Sequence, residues 1–186
     1  MSNYHQNIKD ALPDPKRVKK IKKDLESKGV KYIYSNWIDF LGSPKTKPMP
    51  ISDFEDLRAG KGPQFAVHSV SFVPELTPAD NDQIPVPDLD SLVICPWDKT
   101  CAWVFADLYW NDKPYDVCPR MTLKRQIKKC EKSDLKFFVG IEPEFFLMKW
   151  DGDKPVKAID RDPIPLRRQA FGYDAEYSID GMNFLK

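Results

Sequence analysis

The clearest periodicity in the chain lies at residues 14–29, "DPKRVKKIKKDLESKG". Val18, Ile21 and Leu25 recur at spacings of three and four, as on a helix with one narrow apolar stripe, and lysines fill the other face. Asp14 suits the N-cap, Pro15 the first helical position and Gly29 the stop. "VKYIYSNWIDFLGSPKTKPMPI" then reads as two strands about an "LGSPK" turn. Val30, Tyr32, Tyr34 and Asn36 fall on one face, and Ile33, Trp37 and Phe40 serve the core. "SDFEDLRAG" reads as a short helix with Ser52 as N-cap, Glu55 three positions on and Gly60 as stop. "KGPQFAVHSVSFVPELTPADNDQIPVPDLDS" follows, rich in Pro, Asp and Ser, and long loops of this kind are often functional.

"LVICPW" and "CAWVFADLYW" are the most strand-like runs, β-branched and aromatic, joined by "DKT". "NDKPYDVCPR" is a connector, and "PRMTLKRQIKKCEKSD" a helix with Leu123, Ile127 and Cys130 on one side. "LKFFVGIEPEFFLMKW" reads as a long strand over residues 136–149, after which "DGDKP" turns the chain. The pattern weakens from "DRDPIPLRRQ" onward, and "YSIDGMNFLK" reads as the start of a helix. This order predicts an α+β fold with residues 1–12 flexible, a first domain at 13–117 and a second from 118 to 186.

Composition narrows the function classes. The 41% hydrophobic and 31% charged residues describe a chain able to bury a core. With Lys+Arg 29 against Asp+Glu 28, the net charge of +1 points to neither nucleic acid nor membrane, and the lysine face of the first helix reads as solvated. No apolar run is long enough to span a bilayer and the N-terminus lacks a secretory apolar segment, so a cytoplasmic protein is expected. Cys95, Cys101, Cys118 and Cys130 show no metal-ligand spacing and read as reduced structural thiols.

The chemistry concentrates in "GIEPEFFLM", where Glu142 and Glu144 flank Pro143. On a strand they face the same way, about 6.6 Å apart. Their repulsion is about 2.5 kcal/mol at an effective dielectric of about 20. Three arrangements relieve it: a basic partner in a structural ion pair, one carboxyl with a raised pKa in an acid/base pair, or divalent cations bridging to phosphates. A glycosidase using the pair would also need an aromatic groove, for which Trp37, Trp97, Trp103 and Trp110 are candidates, though core packing explains them more simply.

"VGIEPEFFLM" resembles the glutamate-bearing strand that opens the catalytic domain of the glutamine synthetase family. "VKYIYSNWIDFLGSPKTKPMPISDF" looks like the first hairpin of that family's N-terminal β-grasp domain, with its D-x-x-G turn. "DNDQIPVPDLDSLVICPW" is similar to a further segment of it, with Asp82 and the Pro87-Asp88 pair in place, and "CPRMTLKRQIKK" to the entry into the first catalytic-domain helix. The resemblance spans residues 16–150. It implies a β-grasp domain followed by the beginning of a catalytic domain, and an ATP-dependent ligase that phosphorylates the γ-carboxylate of glutamate for attack by ammonia or an amine. It also implies Mg²⁺ or Mn²⁺, ATP as co-substrate, Glu142 and Glu144 as ligands of different metal ions, and a large homo-oligomer of the full-length protein.

Two departures qualify the expectation. Ammonia-using members carry an F-D-G-S-S loop whose Asp helps bind ammonium, whereas "FAVHSVS" here places Ala66 at that position, and alanine cannot hold a cation. His68 follows as either an acceptor-site residue or an ordinary loop histidine. "FGYDAEYSIDGMNFL" also looks more like relatives that ligate glutamate to small amines such as methylamine. The family's remaining metal and substrate residues have no counterpart in the 186 residues. The expectation is therefore an N-terminal fragment, inactive alone, with a non-catalytic structural or regulatory relative as the alternative.

Overall fold

The computed structural model describes residues 4–68 and 76–158, which fall into two units, one ending at Phe137 and one beginning at Phe138. The first unit is a mixed α/β structure. Its helix α2 (Pro15–Ser27) starts where Asp14 accepts a hydrogen bond from the Arg17 backbone N–H at 2.8 Å, and Gly29 leaves it at φ +81°. Val18 and Leu25 are buried, as the stripe requires.

Strands β1 (Tyr32–Ile38) and β2 (Pro44–Pro50) form the expected antiparallel hairpin. Its turn is built by Asp39, whose carboxylate accepts from the Leu41 and Ser43 backbone N–H groups at 3.0 and 2.8 Å, while Gly42 takes φ +81°. The following helix, Ile51–Ala59, is 3₁₀ rather than α and has no side-chain cap. Ser52 donates its hydroxyl to Asp53 instead of capping, whereas Gly60 ends the helix at φ +64°, as expected.

Strands β3 (Ile84–Pro87), β4 (Val93–Ile94), β5 (Cys101–Trp110) and β6 (Lys113–Pro114) complete a six-stranded sheet. Long β5 is its spine, parallel to β1 and antiparallel to β3, β4 and β6. The first halves of β1 and β5 supply Ile33, Ala102 and Val104 to a cluster with Val18, Leu25, Phe54 and Leu57. Their second halves supply Trp37 and Leu108 to another, closed by Val86, Phe65 and Met121. Phe40, expected in the core, is exposed because it lies in the hairpin turn beyond the end of β1.

Three expectations are corrected. Residues 4–12 are not a loose lead-in. Asn7 caps a short helix, α1 (Ile8–Ala11), Ile8 is buried, and its N–H bonds the Asp112 carbonyl at 3.0 Å. The first unit does not end at 117, because α3 (Pro119–Lys132) packs Met121 into the second cluster. That helix turns Met121 and Lys124 inward, while Leu123 is exposed, so its buried side is not the one its apolar residues suggested.

The third correction is the long strand. Residues 135–147 have no regular secondary structure, and the first strand after them is β7 (Met148–Asp151), paired with β8 (Lys154–Lys157) across a turn in which Gly152 has φ +62°. A strand exists only by pairing its backbone along its length, and residues 135–147 form no ladder: their bonds are isolated ones, such as Leu147 accepting from the Ala158 N–H at 3.0 Å. The expected helix start in "YSIDGMNFLK" and the stretch "FGYDAEYSIDGMNFL" lie outside the described residues. Among the described residues no helix is long and apolar enough to cross a membrane.

Candidate functional site

Glu142 and Glu144 both lie in the irregular segment 135–147, and both are exposed. Their neighbours Ile141 and Phe146 are 86% and 93% exposed, so the apolar run around the two carboxylates is not buried against any layer. Neither glutamate has a basic partner among the ion pairs of the described residues. Carboxylate oxygens are the donors that Mg²⁺ and Mn²⁺ prefer. Yet no group of three or more His, Cys, Asp or Glu side chains able to hold a metal ion exists among the described residues. The described residues therefore do not make a metal site by themselves, and no chemical step is assigned through one.

Ala66 and His68 lie in the first unit. Phe65 stacks flat on Trp37, with ring centroids 4.2 Å apart and planes 4° apart, and exchanges two backbone hydrogen bonds with Gln83 at 3.3 and 2.8 Å. This bridge fixes the start of the loop, so Ala66 follows an anchored residue. His68 is half-buried, and its Nδ1 is enclosed without a hydrogen-bond partner among the described residues. Val67 is buried in the second cluster, and residues 69–71 of the "FAVHSVS" stretch lie outside the described residues.

A second charged constellation went unread in the sequence. Asp88 follows β3, Asp107 lies inside β5, and Arg120 and Lys124 stand one turn apart on α3. Arg120 bonds Asp107 through Nε at 2.9 Å and Asp88 through its guanidinium NH₂, while Lys124 reaches Asp88 at 3.3 Å and also bonds Asp107. Each carboxylate meets two cations and each cation two carboxylates. Burial works against ionisation of Asp88, but Lys124 and Arg120 outweigh it and hold its carboxyl below the usual range. With every charge engaged, the network is a clamp rather than an acid/base pair: it locks α3 to the sheet. One signal could have found it. Asp107 is a lone charge within the apolar run "CAWVFADLYW", and a charge there needs a cation.

The comparisons with known proteins attach a family to this arrangement. The family model "Glutamine synthetase, catalytic domain" matches residues 116–183. The chain is 37% identical over 127 residues to a glutamine synthetase of Rhizobium meliloti (strain 1021), covering 68% of this chain and 28% of that protein. It is 32% identical over 127 residues to a glutamate–methylamine ligase of Methyloversatilis universalis, covering 67% and 28%. Among solved structures, a GmaS/ADP complex superposes with a TM-score of 0.56 at 26% identity, over 61% of this chain and 26% of the other.

These matches fall on a chain of mixed α/β architecture. It belongs to the glutamine synthetase family. The chain spans about 28% of the length of the curated relatives it matches. The family match begins before α3, a helix clamped to the first unit, so the family's catalytic-domain sequence starts ahead of the division between units.

Proposed function

We propose that this chain is the N-terminal part of an ATP-dependent ligase that joins glutamate to ammonia or a small amine through a γ-glutamyl phosphate. The observation that carries the reading is the similarity to both a glutamine synthetase and a glutamate–methylamine ligase across two thirds of the chain. On this reading the sheet with α2 is the family's β-grasp domain, and the second unit begins its catalytic domain. Glu142 and Glu144 each bind a divalent cation, Mg²⁺ or Mn²⁺, once the rest of the ligand set is supplied from outside the described residues. When bound, such ions neutralise charge on the transferred phosphoryl group. Exposure of both carboxylates, with no competing cationic partner among the described residues, supports that role.

Ala66, with no charge to hold ammonium, favours a small amine as acceptor. The same alanine favours a second reading, a non-catalytic relative that keeps the fold without the chemistry. The test is glutamate-dependent ADP release by the full-length protein containing these residues, offered ammonia, methylamine, ethylamine and a polyamine in turn. Turnover with an amine is expected, and residues 1–186 alone should be inactive. No glutamate-dependent turnover with any of the four sinks the ligase reading and leaves the non-catalytic one.

A further inference from the structure

The face of the sheet turned away from α2 carries a cavity of about 250 Å³, smaller than a drug-sized ligand needs. On β5, Ala102 and Val104 point into the core, so Trp103 between them points the other way. Tyr34 pairs with Trp103 across the parallel strands and shares that face. Trp97 comes from the β4–β5 connection, 68% exposed, with its ring 5.2 Å from that of Trp103 and tilted by 79°. Two indoles at nearly a right angle, with a phenol beside them, form adjoining aromatic walls.

The polar lining is biased toward acceptors. Asn36 donates both amide hydrogens, to the Tyr34 and Val104 carbonyls at 2.9 and 3.3 Å, so its oxygen is what it can offer a ligand. Thr46 donates its hydroxyl to the Ser35 carbonyl at 3.4 Å, and Cys101 donates its thiol to Asp98 at 3.3 Å. Asp98 also accepts from the Thr100 hydroxyl and backbone N–H at 2.7 and 2.9 Å, and with the Cys101 thiol these bonds hold its carboxyl below the usual range. The adjacent Cys101 pushes the Tyr34 phenol up, so it stays neutral. Among the described residues, no lysine or arginine lines the cavity.

What remains is one negative charge, acceptor oxygens and exposed π faces. An anion is repelled by such a lining, and a bare divalent cation finds too few carboxylates. We propose that Tyr34, Trp97, Trp103 and Asp98 form a binding site for a small alkylammonium cation, whose charge faces Asp98 and whose methyl groups lie on the aromatic walls. The site lies wholly in the first unit and is independent of the ligase reading.

Calorimetric titration of the chain with tetramethylammonium chloride, against sodium chloride at equal ionic strength, tests it. Saturable binding of tetramethylammonium alone is expected, with movement of the Trp103 indole N–H resonance. Trp97→Ala should weaken affinity by about tenfold and the isosteric Asp98→Asn by about fivefold. Both positions are surface ones, and an unchanged Tm verifies that each variant folds. Equal heats for the two salts, or an affinity unchanged in both variants, overturns the proposal.

Discussion

Replacing Asp107 with asparagine probes the clamp between sheet and helix most directly. The Asp107 side chain is 11% exposed, and its carboxylate accepts from both Arg120 and Lys124. Its removal leaves two cations sharing Asp88 in a site where the side chains of Arg120 and Lys124 are 26% and 11% exposed. Breaking a fully buried pair costs about 3–5 kcal/mol. Partial exposure and the surviving Asp88 reduce this to about 2–3 kcal/mol, or a fall in Tm of about 6–10 °C. Urea denaturation followed by tryptophan fluorescence measures the loss. Adding Lys124→Met to Asp107→Asn removes the surplus cation, so the double variant should recover about 1 kcal/mol or more relative to the summed single effects. The charge balance also sets a pH dependence. Because the Asp88 carboxyl lies below the usual range of about 3.9, its contribution is present above that pH and is lost as pH falls through the native value. If Asp107→Asn costs under about 0.5 kcal/mol, or the two substitutions simply add, the four charges do not act as a unit.

Three further outcomes can be measured. Phe54 has no exposed surface and joins α2 to the sheet, so Phe54→Ala should cost about 3–5 kcal/mol in urea unfolding. Burial, with Asp107 next in effect, pushes the Tyr109 phenol well above its ordinary value of about 10. The unfolded chain loses that proton first, so the contribution is complete below about pH 10 and declines as pH rises above it. Phenolate absorbance from Tyr109 should then appear only together with unfolding. Glu142→Gln and Glu144→Gln, both at exposed positions, should change the stability of residues 1–186 by less than about 0.5 kcal/mol while abolishing metal-dependent turnover of the full-length protein.

Helix α2 and the first hairpin were legible because their signals are local. Asp14, Pro15 and Gly29 delimit one, and Asp39 with Gly42 closes the other, each by bonds within a few residues. Ser52 shows where local signals stop being sufficient. The S-x-x-E spacing is present, but Pro50 and Ile51 start the helix earlier and the chain winds as 3₁₀. Strand β3 was hidden inside a Pro-rich segment because Pro85 and Pro87 read as loop residues. An edge tolerates them, and among the described residues β3 pairs only with β5.

The buried side of α3 and the fate of "GIEPEFFLM" share a cause. Periodicity registers apolar residues, but what a helix buries depends on what it faces, and α3 faces two aspartates on the sheet. Its inward row is therefore Arg120, Met121 and Lys124, and Leu123 is left outside. In the glutamate segment, alternation pointed to a strand, but a strand also needs a partner along its length. Residues 135–147 form no strand, and both glutamates stand exposed with no basic partner among the ion pairs of the described residues. The 2.5 kcal/mol repulsion, about what an effective dielectric of 20 gives at strand spacing, then falls roughly fourfold in water. The pair is thus tolerated cheaply at these exposed positions.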